Sequence, residues 1–185
     1  MPPLGSDDRR TLLEIARRAV TLAIQKRERL RVDIPPGILS EPAGAFVTLQ
    51  RHKRLRGCIG RLAPSEPLAQ VVADSAMSAA LEDPRFEPLR PEELADVEIE
   101  ISVLSKFAPI AREEIQPGTH GLVIQRGNLR GLLLPQVATE YNWSRERFLE
   151  ETCVKAGLPR DAWRDGATQI SGFTAEVFSE EDFRK

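Results

Sequence analysis

Val97, Ile99, Ile101 and Val103 alternate with Glu98, Glu100 and Ser102. Successive side chains of a strand point to opposite faces, so a period of two predicts a half-buried strand. One face belongs to a core and the other meets water or a cleft. Such a strand needs partner strands beside it and an apolar cover over its buried face.

The cover is legible upstream. Leu12, Ile15, Ala16, Ala19, Leu22 and Ala23 recur at helical spacing and predict an amphipathic helix from Ser6 to about Arg27. Asp7 and Asp8 sit in its first turn, where carboxylates favour the positive end of the helix dipole. Leu68, Val71, Val72, Ser75, Ala76, Ala79 and Ala80 predict a second helix. Its face of mostly small residues suits close approach to a sheet. Ser65 is its expected N-cap, Pro67 suits its first turn, and Asp83-Pro84 ends it. Between the helices, residues 35–44 read as a loop. Ala45 to Gln50 and Leu55 to Arg61 read as two strands joined by the cationic turn Arg51-His52-Lys53-Arg54.

The stretch from about residue 108 to 166 has its own punctuation. Leu122 to Gln125 and Leu129 to Leu134 are predicted strands around the turn Arg126-Gly127-Asn128. Pro135 starts a short helix. Ser144 caps a longer one bearing Phe148, Leu149, Thr152, Cys153 and Ala156 on one face, and Gly157 with Pro159 stops it. Phe173, Ala175 and Val177 predict one last strand. Leu55-Arg56-Gly57 recurs as Leu129-Arg130-Gly131, each time on the return strand of a predicted hairpin.

Composition narrows the chemistry. In 185 residues, 26 basic against 28 acidic side chains leave a net charge of -2, which is no global nucleic-acid footprint. No apolar run approaches the roughly 20 residues that span a bilayer, and the start lacks the pattern of a secretory signal. Two cysteines and two histidines without close-spaced pairs argue against structural zinc and against a disulfide framework. The expectation is a cytoplasmic protein with two reduced thiols and no metal.

Site-like chemistry concentrates in Leu55-Arg56-Gly57-Cys58-Ile59-Gly60. In an unbroken strand Leu55, Gly57 and Ile59 point to the core, while Arg56, Cys58 and Gly60 share the other face. The nearby Arg56 guanidinium favours a thiolate and is a candidate anion clamp, and Gly57 and Gly60 would let a ligand approach the backbone. A buried, inert Cys58 is the alternative. Further candidates are His120, framed by Gly118 and Gly121, as a base, and Arg85 as an anion clamp with Asp83 orienting it. Glu98 and Glu100, on the wet face of the alternating strand, are candidate acid/base or ligand-binding groups. The basic cluster Arg51, Lys53, Arg54, Arg56 and Arg61 lacks the aromatic residues that stack on bases.

The segment Arg54-Leu55-Arg56-Gly57-Cys58-Ile59-Gly60 resembles the LRGCIG signature of the AMMECR family. Asp83-Pro84-Arg85-Phe86 with Pro88-Leu89, Glu98 to Ser105, His120-Gly121, Gly131 to Ala138 and Ala175 to Phe178 follow in the family's order. Within the family the chain is similar to the stand-alone prokaryotic type of the AmmeMemoRadiSam system. The resemblance implies a two-lobed α+β fold: a large lobe, 1–107 and 167–185, with an antiparallel sheet, helices and both termini. A smaller lobe, 108–166, would carry helices and short strands. It also implies a groove between lobes lined by the signature segment, with Arg56 and Cys58 on one side and His120 on the other. It supplies no reaction and no cofactor. The partners it implies are a Memo-like protein and a radical-SAM protein. Two functions are therefore open to it: a thiol-dependent enzyme, and a non-catalytic module binding a small-molecule ligand or a partner. Nucleic-acid binding ranks below both.

Overall fold

Burial alternates along Val97–Leu104 as far as Glu100: Val97, Ile99, Ile101 and Val103 are buried and Glu98 and Glu100 half-buried, but Ser102, expected on the wet face, is buried as well. The computed structural model describes residues 3–184. It is an α+β fold of two antiparallel sheets and four α-helices. No helix among the described residues is long and apolar enough to cross a membrane. The chain forms two compact units, one running through Leu104 and again from Glu176, the other spanning Ser105–Ala175.

In the first unit, β1 (Ala45–Arg51) and β2 (Arg54–Arg61) form a hairpin and β3 (Val97–Leu104) pairs with the other side of β1. With β8 (Ala175–Ser179) the strand order is β2-β1-β3-β8. Helices α1 (Ser6–Lys26) and α2 (Leu68–Leu81) pack over one face of this sheet. Leu12, Val20, Leu68, Val72, Val47, Leu49, Ile99 and Ile101 meet in one core. The small-residue face of α2 does what its composition predicts. A Cβ added at Gly57 would lie 2.1 Å from the Ala79 carbonyl oxygen, so helix and strand backbones are in contact there. The N-cap of α2 is Pro67, two residues beyond the expected Ser65.

The second unit repeats the arrangement. The hairpin of β5 (Gly121–Arg126) and β6 (Leu129–Leu133) is followed by α3 (Pro135–Glu140) and α4 (Arg145–Lys155), then β7 (Gln169–Phe173) returns beside β5. A two-residue strand, β4 (Ala108–Pro109), completes the order β4-β7-β5-β6. Leu122, Ile124, Phe148, Leu149 and Cys153 form its core. The Ser144 hydroxyl accepts the Arg147 N–H at 3.2 Å, the expected cap. Gly157 has φ 76 and terminates α4.

The predicted last strand divides. Residues up to Phe173 pair with β5, and β8 joins the first sheet after a break at Thr174. Thr174 exchanges hydrogen bonds with Ser105: Ser105 N donates to its carbonyl and Thr174 N donates to the Ser105 hydroxyl, both at 2.9 Å. The unit boundary therefore falls at 105 and 175 rather than at 108 and 166, because β7 is held by five backbone register pairs to β5.

Candidate functional site

The hairpin β1–β2 carries a bulge. Leu49 pairs with Gly57 and Gln50 pairs with Leu55, so Arg56 is the extra residue without a register partner. One inserted residue reverses the facing of everything beyond it. Leu55 accordingly leaves the core face expected for it and is 44% exposed. It shares the face turned away from α1 and α2 with Cys58, Thr48 and Gln50.

Arg56 does not present a free guanidinium beside the sulfur. Its Nε and Nη2 donate to the two carboxylate oxygens of Glu93, each at 2.9 Å, and Nη1 donates to the Glu87 carbonyl at 2.9 Å. This bidentate pairing, helped by the Arg90 N–H, holds the Glu93 carboxyl down to about 2. The expected anion clamp is a structural tie. The glycines are occupied too: Gly57 faces Ala79, and a Cβ at Gly60 would fall 2.5 Å from atoms of the Phe46 ring. Neither opens a path to a ligand.

Arg85 and Asp83 grip the outer edge of β2. The Asp83 carboxylate accepts the Cys58 N–H at 2.8 Å and takes Nε and Nη2 of Arg85 at 3.0 and 2.8 Å. Arg85 Nη2 also donates to the Cys58 carbonyl at 3.2 Å. Asp83 is buried, and the Arg85 hydrogen bonds, then the Cys58 and Arg85 N–H groups, hold its carboxyl far below the usual carboxylate range. An edge strand leaves backbone groups unpaired. Here both outward groups of a single residue are capped, and that residue is Cys58.

Cys58 itself is half-buried, and the Thr48 hydroxyl donates to its Sγ at 3.3 Å. Thr48 is in register with Cys58 on one side and with Glu100 on the other. Cys58, Thr48 and Glu100 thus form one row across three strands on one face. Glu100 is pushed above the usual carboxylate range by burial first, then by the charges of Asp182 and Glu98. Lys53 lies 3.6 Å from Glu98 and also pairs with Glu181. Sequence reasoning named Cys58 and Glu100 separately and missed Thr48, whose only signal is its register.

The second sheet shows what this row looks like without chemistry. Gly131 occupies the place of Gly57: its Cβ would lie 2.3 Å from Ala156 N at the end of α4. Aligned on these glycines, the row Cys58–Thr48–Glu100 corresponds to Leu132–Val123–Ser171. The architecture tolerates Leu and Val there, so the fold alone does not call for a thiol and a carboxyl.

His120 belongs to the second unit, where its Nδ1 accepts the Gln116 N–H at 3.1 Å and its own N–H returns to the Gln116 carbonyl. Cys153 is fully buried in the second core, and burial raises its thiol above the ordinary value. Four of the five residues of the basic cluster are paired: Arg51 with Glu93 and Asp96, Lys53 with Glu98 and Glu181, Arg56 with Glu93, and Arg61 with Glu66, while Arg54 forms no ion pair among the described residues. Among the described residues, no group of three or more His, Cys, Asp or Glu is placed to hold a metal ion.

The AMMECR1 family model matches residues 13–178. A protein of Methanothermobacter thermautotrophicus is 44% identical over 187 residues, covering 97% of each chain. Protein PF1979 of Pyrococcus furiosus is 44% identical over 183 residues, 92% of this chain and 87% of its own. Among solved structures, the crystal structure of the uncharacterised protein PH0010 from Pyrococcus horikoshii matches with a TM-score of 0.79 and 40% identity. The match covers 91% of this chain and 89% of that one.

Proposed function

The chain belongs to the AMMECR1 family, and we propose that it is a thiol-dependent enzyme whose reacting group is Cys58. The observation that carries this reading is the contrast between equivalent rows of the two sheets, thiol–hydroxyl–carboxyl in one and Leu–Val–Ser in the other. A hydroxyl donating to sulfur favours the thiolate, the nucleophilic form. The caps on the Cys58 N–H and carbonyl fix the strand that carries it, so the sulfur is presented from a rigid element. The substrate is a small molecule with an electrophilic carbon or sulfur. The Memo-like and radical-SAM proteins implied by the sequence resemblance are its proposed partners, and the cytoplasm its proposed compartment.

The test is the rate of Cys58 alkylation by iodoacetamide, followed by intact mass with Cys153 as the sealed internal reference. A rate at pH 7 at least about tenfold above that of a free cysteine supports the reading. A rate at or below free cysteine overturns it. A second reading, a ligand- or partner-binding module, is favoured by one observation: the side chains that engage the sulfur, the Thr48 hydroxyl and the Arg85 guanidinium, include no general base. Association with the Memo-like or radical-SAM protein at micromolar concentration, unchanged by Cys58→Ala, would select it.

A further inference from the structure

The thiol reading leaves one question of chemistry: where the sulfur's proton goes. We propose that Glu100 receives it through the Thr48 hydroxyl, so that the row Cys58–Thr48–Glu100 works as a proton path. This inference rests on the thiol reading above.

The geometry has three parts. Thr48 Oγ1 is 3.3 Å from Cys58 Sγ. Thr48 and Glu100 are direct register partners on neighbouring antiparallel strands, which sets their Cβ atoms about 4.5 to 5.5 Å apart. Cys58 and Glu100 are two strands apart, about 10 Å, too far for direct transfer. The hydroxyl between them is both donor and acceptor, the property a relay needs. Among the described residues, the Glu100 carboxylate takes no hydrogen bond, whereas Glu93, Glu180 and Asp83 are each engaged by a guanidinium. Its oxygens are therefore uncommitted.

The S–H bond breaks and its proton passes to the Thr48 oxygen as the Thr48 proton passes to Glu100, directly or across one water. Cys58 becomes a thiolate, Glu100 a neutral acid, and the net charge of the row stays at one negative. With iodoacetamide as electrophile, the sulfur electron pair forms the C–S bond, the C–I bond breaks, and iodide leaves. The proton remains on Glu100 until it exchanges with water. A carboxyl whose burial disfavours its charge is suited to accept it.

The charged groups around this path are Glu98 on the same strand, Asp182 and Glu181 from the C-terminal turn, and Lys53 from the hairpin. On the sulfur side they are Asp83 and Arg85. These groups supply the decisive control. If Glu100 acted only through its field, removing its charge would favour the thiolate and speed alkylation. A proton path predicts the reverse.

The experiment is the pH profile of Cys58 alkylation by iodoacetamide in the full chain and in Glu100→Gln, Glu100→Asp, Thr48→Val, Thr48→Ser and Glu98→Gln. Expected are rates at pH 7 lowered about tenfold or more in Glu100→Gln and Thr48→Val, with an altered profile. Glu100→Asp should fall between, and Thr48→Ser should keep at least half the rate. Glu98→Gln, on the same face but outside the row, should stay equal or become faster. An unchanged or faster Glu100→Gln overturns the path while leaving the thiol reading intact. A wild-type rate no greater than free cysteine removes both. Should Glu100→Gln fail to fold, Glu100→Asp decides: a rate below wild type with Thr48→Ser near wild type supports the path, and a rate equal to or above wild type overturns it.

Discussion

The two sheets run the same course, hairpin, helix, returning strand, with orders β2-β1-β3 and β6-β5-β7, yet they treat one tripeptide differently. Leu129-Arg130-Gly131 lies in an unbroken ladder, and Leu129 stays on the helix side near Gly157. Leu55-Arg56-Gly57 is interrupted by the bulge, which sends Leu55 to the opposite face and Arg56 to Glu93. The turns differ too. Gly127 takes the positive φ in the second hairpin, whereas His52 and Lys53, with φ 51 and 59, both adopt the left-handed conformation in the first. Side chains with a Cβ are strained there. The second hairpin is the relaxed version. Departures from it in bulge, edge clamp and polar row gather around Cys58, while the left-handed turn lies at the end of the first hairpin.

The two sheets agree at Gly57 and Gly131. Gly57→Ala and Gly131→Ala should each destabilise the protein by about 3 kcal/mol in urea titrations, since both glycines abut helix backbone that cannot yield. A loss below about 1 kcal/mol in either would dissolve the equivalence.

Asp83→Asn tests a feature that the second sheet lacks. It should cost about 2 kcal/mol, less than a fully buried ion pair because Arg85 is half exposed. It also carries a pH signature. Asp83 and Glu93 both titrate below the ordinary carboxyl range when folded, Glu93 at about 2. Their stabilisation is complete above the unfolded value near pH 4 and is lost as pH falls through the folded values. Stability measured from pH 4 to 2 should therefore fall less steeply in Asp83→Asn than in the wild type.

His52→Asn should stabilise by about 1 kcal/mol, because Asn accepts the left-handed conformation that His resists. A thermal melt reads it; destabilisation would show that the His52 side chain contributes something the turn geometry does not reveal. The smallest stability effect belongs to the row transplant Thr48→Val, Cys58→Leu and Glu100→Ser. It should remain folded within about 1 kcal/mol of wild type while losing iodoacetamide labelling entirely, since the other sheet accommodates that row. Unfolding of the transplant would mean that the polar row holds the sheet together.

The amphipathic spacing of α1, the small face of α2, the alternation of β3, the Ser144 cap and the Gly157 stop are local properties, and all were legible in the residues. So was the clustering of chemistry near Cys58. The tie of Arg56 was not, because Glu93 lies far from it in sequence; the pairing of Arg85 with Asp83, two residues away, was legible, but not their joint hold on Cys58. Thr48 was invisible because nothing in its own strand distinguishes it from any wet-face threonine.

What the chain's order of residues determined was which segments become helix or strand and which face of each is apolar, because side-chain period and capping act over a few residues. Register, the bulge at Arg56, the division of the last strand at Thr174 and the alignment of sulfur, hydroxyl and carboxyl were decided by tertiary pairing. A one-residue slip between strands is nearly silent in local propensity, yet it turns every side chain to the other face.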